Sequence, residues 1–272
     1  MANLLIFWGE NEQSTLTWKL NQTETKTTSE GDVNSDSYSN ASYQLQSEEI
    51  LKADLNCLAD MAEKNKVSLI LSSQDIISAE LDIPNRNPKL IRKAIPFMME
   101  DEVATAVDSL FYAYKERGKD KPISVRGIER SYIESLIEQF AKAEIKLEHI
   151  LLEQDLITTP KDGYSVLLEE SNCAVVNTEG DIWNCFPEDF SWLIQKQLAE
   201  SENSQMASNQ AENNESLAIA ISLNIYSTLN CAEFVKNLPV GRFAVKEHSI
   251  ESKQSLLAKS FSNVNMINLM QE

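Results

Sequence analysis

Glycine is scarce: seven residues in a chain of 272. No P-loop, no GxGxxG and no GxSxG occurs, so the backbone cradles and nucleophile elbows that depend on glycine are missing. Histidine is scarcer, with only His149 and His248 and no HxxxH pair, which removes the raw material of His-based metal sites and most His-dependent triads. Cys57, Cys173, Cys185 and Cys231 form no CxxC and no metal-ligand spacing, so the reading is of free thiols in a reducing compartment. Basic charge is short as well. Lys and Arg number 24 against 42 Asp and Glu, and the net charge of −18 excludes a nucleic-acid binder, which needs a basic surface to neutralise phosphates. No run of ~18 apolar residues is present, and residues 1–20 lack the long apolar run of a signal peptide. The expectation is a soluble globular chain without metal, cofactor or bilayer span of its own.

The apolar residues that are present carry clear periodicity. Leu4–Trp8 reads as a buried strand, Leu16, Trp18 and Leu20 alternate as a second, and Tyr43 with Leu45 resumes a third. A helix from Ser47 follows, then a strand at Val67–Leu71. Residues 151–262 repeat this order, with strands at Tyr164–Leu168, Cys173–Val176 and Asp181–Cys185, a helix from Pro187 to Leu198, and strands at Leu217–Leu223 and Arg242–Val245. A last helix covers Ser252–Phe261. The polar tracts 21–42 and 199–216 read as loops. Three strands, a helix and a strand, occurring twice, define an α/β chain of the actin-like kind: two RNase H-like lobes (1–75 and 151–262), an inserted α/β subdomain (76–150) and a tail (263–272).

That fold raises the question of ATP. The first hairpin, Phe7-Trp8-Gly9-Glu10, has Trp where an acidic residue would hold a metal-bound water. The second, Leu168-Glu169-Glu170-Ser171-Asn172, has no glycine and two carboxylates that repel phosphate. Carboxylate pairs elsewhere are expected by chance among 42 acids. The motifs point away from an enzyme, and no catalytic, cofactor-binding or metal-binding residue is assigned.

What remains is interaction surface, centred on Asn87–Tyr114. Asn87 suits an N-cap and Pro88 the first helical position. Leu90, Ile91, Ala94, Ile95, Met98 and Met99 recur at helical spacing as one face, and Pro96 predicts a kink or break before the acidic cluster Glu100, Asp101 and Glu102. Phe97, Met98 and Met99 are candidate partner-binding residues, with an ordinary core helix as the alternative. Phe111, Tyr112 and Tyr114 are candidates on an edge strand open to strand addition, with an internal strand as the alternative.

Lys89–Phe111, which contains IRKAIPFMMEDEVATAVDSLF, resembles the motif RQALPYLLEEQLAEDVEDLHFA of protein L of the bacterial type II secretion system (the GspL or EpsL family). Supporting pieces keep the family order. Val67–Leu71 resembles its apolar strand, and Ile128–Ala143 resembles its helix before AAGIEP, with Glu144 in place of the glycine. Met266–Gln271 resembles INLLQG, which in the family precedes the membrane-spanning helix. The resemblance implies the cytoplasmic region of a single-pass inner-membrane protein that binds no nucleotide. It further implies docking of the N-terminal domain of the secretion ATPase, protein E, contacts with platform proteins M and F, and self-association as a homodimer. The alternative is an actin-like ATP-binding assembly protein of the type IV pilus kind, which shares the fold.

Overall fold

A computed structural model describes residues 3–8, 17–21, 55–72, 76–118, 121–208, 220–261 and 266–270. The expected strand at Tyr43–Leu45, the helix start at Ser47, the turn of the first hairpin from Gly9 and nearly all of the polar tract 21–42 lie outside these residues.

Strands β1 (Asn3–Trp8), β2 (Thr17–Asn21), β3 (Lys66–Leu71) and β7 (Leu147–Leu152) form one sheet in the order β2-β1-β3-β7. A second sheet runs β10-β9-β8-β11-β12, built from β8 (Gly163–Leu168), β9 (Cys173–Asn177), β10 (Ile182–Cys185), β11 (Ile221–Ser227) and β12 (Phe243–Ser249). In both, the opening hairpin is antiparallel and the later strands join in parallel. The segment β2-β1-β3-β7 thus matches β9-β8-β11-β12 in order and sense. This duplication is the actin-like, two-lobed α/β fold.

The third sheet, β4-β6-β5, comprises β4 (Ile77–Leu81), β5 (Leu110–Glu116) and β6 (Ile123–Glu129), with α2 (Pro88–Met99) packed on one face. Strand β7, grouped above with the insert up to residue 150, pairs in parallel with β3 in the first sheet. Helix α3 (Arg130–Lys142) likewise packs into the first lobe's core through Ile133, Leu136 and Phe140.

Period-two alternation sorts the core. Leu4 and Ile6 enter the cluster under α1 (Leu55–Lys64) and α3, whereas Leu5 and Phe7 enter the one between the lobes. Strand β8 behaves alike: Tyr164, Val166 and Leu168 face α4 (Phe190–Ser208), and Leu167 faces the other lobe. Both central strands are buried on both sides, which is why they read as continuous apolar runs. Helix α6 (Lys253–Ser260) seals the inter-lobe core with Leu257 and Ala258, and the Ser252 side chain caps it by accepting from the Ser255 N–H.

Four local expectations change. Helix α2 continues through Pro96 instead of breaking. Proline forfeits the bond to the Arg92 carbonyl, but Arg92 is exposed, and Ile91, Ile95 and Met99 stay buried. Helix α4 runs on to Ser208 through part of the tract expected to be a loop, since Ala, Glu, Gln and Met there are good helix formers. Val107–Tyr114 alternates well enough to be read as one strand, but Val107–Ser109 is a 3₁₀ turn before β5. A short helix, α5 (Ala232–Lys236), was not anticipated. Glu144 takes φ +59° at the end of α3, the left-handed position that favours glycine.

Candidate functional site

Helix α2 presents two apolar stripes. Its Asn87 side chain accepts from the Lys89 N–H at 3.0 Å and Pro88 follows directly, so the helix starts where the sequence places it. At 100° per residue, the apolar positions from Phe97 and Leu90 round to Met99 span roughly 200°, wider than one packing face. Ile91, Ile95 and Met99 fill the inner part against Leu81, Ile123 and Val125. Leu90 (46% exposed), Phe97 (77%) and Met98 (37%) form the outer part. Met99 is fully buried, so this candidate partner residue belongs to the core, and Leu90 moves from the expected core face to the surface. Lys89, Arg92 and Lys93 are exposed on the same helix, which carries no acid. At 100° per residue Lys93 flanks the outer stripe, Arg92 lies across the helix from it, and the exposed Glu100, Asp101 and Glu102 follow directly.

Strand β5 lies at the edge of its sheet, the first of the two alternatives. Its three rings are half-buried and do not make one surface. Phe111 packs towards the first-lobe core with the Arg130 guanidinium 5.9 Å from its ring centre, while Tyr112 and Tyr114 pack beneath α2. Period-two alternation sends them to opposite faces. Burial, and then the nearby Asp108, raises the Tyr112 phenol above its ordinary value.

A charged seam joins the insert to the second lobe, and sequence reasoning missed it. Arg117 donates through Nη2 to Glu80 Oε1 at 2.6 Å and to Asp181 Oδ1 at 3.1 Å. Buried Arg126 donates to Asp155 Oδ1 at 3.4 Å and to the Gly180 carbonyl at 3.0 Å. Gly180 turns there with φ +83°, a conformation that lets its carbonyl meet the guanidinium. Beside this seam lies a cavity of about 330 Å³, lined by Lys115, Arg126, Gln154 and Asp155 among others. The available signal was Arg126 itself, a charged residue inside the apolar run of β6.

Burial pushes the Glu80 carboxyl up to about 7 in spite of Arg117. A carboxyl raised from 4.5 on folding binds more protons in the native state than in the unfolded one between those values. Its contribution is therefore complete below about pH 4.5 and is lost as pH rises through 7. Glu80→Gln should flatten part of that slope, read as urea midpoints at pH 5 and pH 7.5. An unchanged slope would dissociate Glu80 from the seam's stability.

The second hairpin meets the other lobe differently. Lys253 Nζ lies 2.9 Å from Glu169 Oε1 and 3.1 Å from Glu153 Oε2, and Ser72 Oγ donates to Glu153 Oε1 at 3.3 Å. Burial alone would lower the Lys253 ammonium, but the two carboxylates outweigh it and raise it. The second hairpin thus presents a carboxylate engaged by the chain's own lysine.

Two duplicated lobes with an α/β insert between them define the actin-like fold. The family model for type II secretion system (T2SS), protein L, matches residues 26–271, and the chain belongs to that family. Type II secretion system protein L of Vibrio cholerae serotype O1 (strain ATCC 39315 / El Tor Inaba N16961) is 20% identical over 113 residues, 42% of this chain and 28% of the relative. That of Pectobacterium carotovorum subsp. carotovorum is 23% identical over 100 residues, 36% of this chain and 23% of the relative. The matched stretches thus span about a quarter of those relatives' length. Among solved structures, the cytoplasmic domain of EpsL, an inner membrane component of the type II secretion system of Vibrio cholerae, superposes with a TM-score of 0.66 at 15% identity. It covers 100% of this chain and 99% of that one.

Proposed function

We propose that this chain is a non-enzymatic scaffold of the type II secretion inner-membrane platform. It docks the N-terminal domain of the secretion ATPase, protein E, on the cytoplasmic side and tethers it through the membrane-spanning helix that follows this region in the family. Platform proteins M and F and a second copy of the chain are its further partners. The observation that carries the reading is the outer face of α2: Leu90, Phe97 and Met98 exposed, with Lys93 beside them. Exposed aromatic and Met side chains next to cations are the composition of an interface hot spot. Glu169, held against Lys253 in the second hairpin, supports the non-enzymatic part of the reading, because a carboxylate there opposes phosphate. Among the described residues no helix is long and apolar enough to cross a membrane.

The direct test is calorimetry of this chain with the N-terminal domain of protein E. Phe97→Asp with Met98→Asp should weaken binding about tenfold or more, ~1.4 kcal/mol, while unfolding stays within about 1 kcal/mol of the parent. Unchanged affinity in that double variant would remove α2 from the interface.

A further inference from the structure

Strands β9 and β10 pair antiparallel in a register that sets Cys173 directly opposite Cys185. Opposed residues on neighbouring strands keep their Cβ atoms ~4.5–5.5 Å apart. A disulfide needs ~3.5–4.5 Å between Cβ atoms and ~4.4–6.8 Å between Cα atoms, so a small closure of this ladder suffices. β10 is the outermost strand of its sheet, with only one neighbour to hold it back from that closure. The two sulfurs differ in access. Cys173 is fully buried, whereas Cys185 is half-buried and lines a groove of about 780 Å³ with Phe186, Trp192 and Leu193. The Cys185 Sγ sits 3.9 Å from the Cys173 carbonyl oxygen. Hydrogen bonding with the Cys173 thiol lowers the Cys185 thiol, against burial and the nearby Asp189 and Glu188; the same bond raises Cys173. A more accessible thiol beside a buried thiol partner is the arrangement of an attacking and a resolving cysteine.

We propose that Cys173 and Cys185 are a hydroperoxide-oxidisable dithiol that closes to a cross-strand disulfide at the edge of the second lobe. The Cys185 sulfur attacks a peroxide oxygen, the O–O bond breaks, and Cys185 becomes a sulfenic acid as water or alcohol departs. The Cys173 sulfur then attacks the Cys185 sulfur, forming the S–S bond and expelling hydroxide, which leaves as water with the Cys173 proton. Two thiols lose two electrons in total and one hydroperoxide gains them.

The test treats the whole chain with hydrogen peroxide, blocks remaining thiols with N-ethylmaleimide and maps peptides without reduction. The expected result is one Cys173–Cys185 crosslinked peptide, reversed by dithiothreitol, with Cys57 and Cys231 alkylated. Cys185→Ser should abolish the link, and Cys173→Ala should leave a sulfenic acid at position 185 that dimedone traps. Trp192 fluorescence should change on oxidation of the wild type, because Cys185 shares its groove. Full alkylation of Cys185 after peroxide, or its pairing with Cys57 or Cys231, overturns the proposal, and the wild-type map decides this whether or not the variants fold.

Discussion

Arg126→Ala should lower stability by about 3–5 kcal/mol, the cost typical of removing one partner from a buried ion pair. Arg126 is buried within β6, and its guanidinium serves Asp155, the Gly180 carbonyl and the Val125 carbonyl at once. Truncation strands a buried carboxylate and a turn carbonyl where little water reaches. Burial already holds Asp155 above its ordinary value despite Arg126. Without the guanidinium it should rise further, and the penalty should shrink as pH falls and the group takes a proton. Urea titrations at pH 5 and pH 7.5 check both points. Replacing the pair together, Arg126→Met with Asp155→Leu, should recover most of the loss, because well-packed apolar groups substitute for buried ion pairs at little cost. A double variant as unstable as Arg126→Ala would show that packing, and not charge, is what Arg126 supplies.

Met99→Asp and Met98→Asp should behave oppositely although the residues are adjacent. Met99 is closed off against Ile91, Ile95 and Val125, so truncation alone costs about 2–5 kcal/mol and a buried carboxylate adds to it. The expectation is loss of the folded insert, seen as insolubility or a collapsed denaturation midpoint. Met98→Asp changes a surface position and should leave stability within about 0.5 kcal/mol. Equal stability of the two variants would mean that the inner and outer stripes of α2 have been misassigned.

These two positions also mark where sequence reasoning stops. Six apolar residues at helical spacing announced α2, and Asn87-Pro88 announced its start, because capping and periodicity act over a few neighbouring positions. An apolar arc of roughly 200° exceeds what one neighbour can cover, so which part was buried depended on where the sheet lay. Pro96 read as a kink or break for the same reason. Its local cost was legible, but the packing of Ile91, Ile95 and Met99 that outweighs it was not.

The chain by itself determined the continuous apolar strands β1, β3 and β8, the duplicated strand–helix–strand order and the glycine-poor hairpins. All of these rest on residue type and short-range alternation. Tertiary structure alone decided that β7 returns to the first sheet after the insert, since strand partners are chosen by edges far apart in sequence. It alone set Arg126 against Asp155, 29 positions on, and Cys173 against Cys185, since ion pairs and strand register follow from how elements meet. The exposed stripe of α2 has the same origin: it exists only where packing leaves apolar residues uncovered.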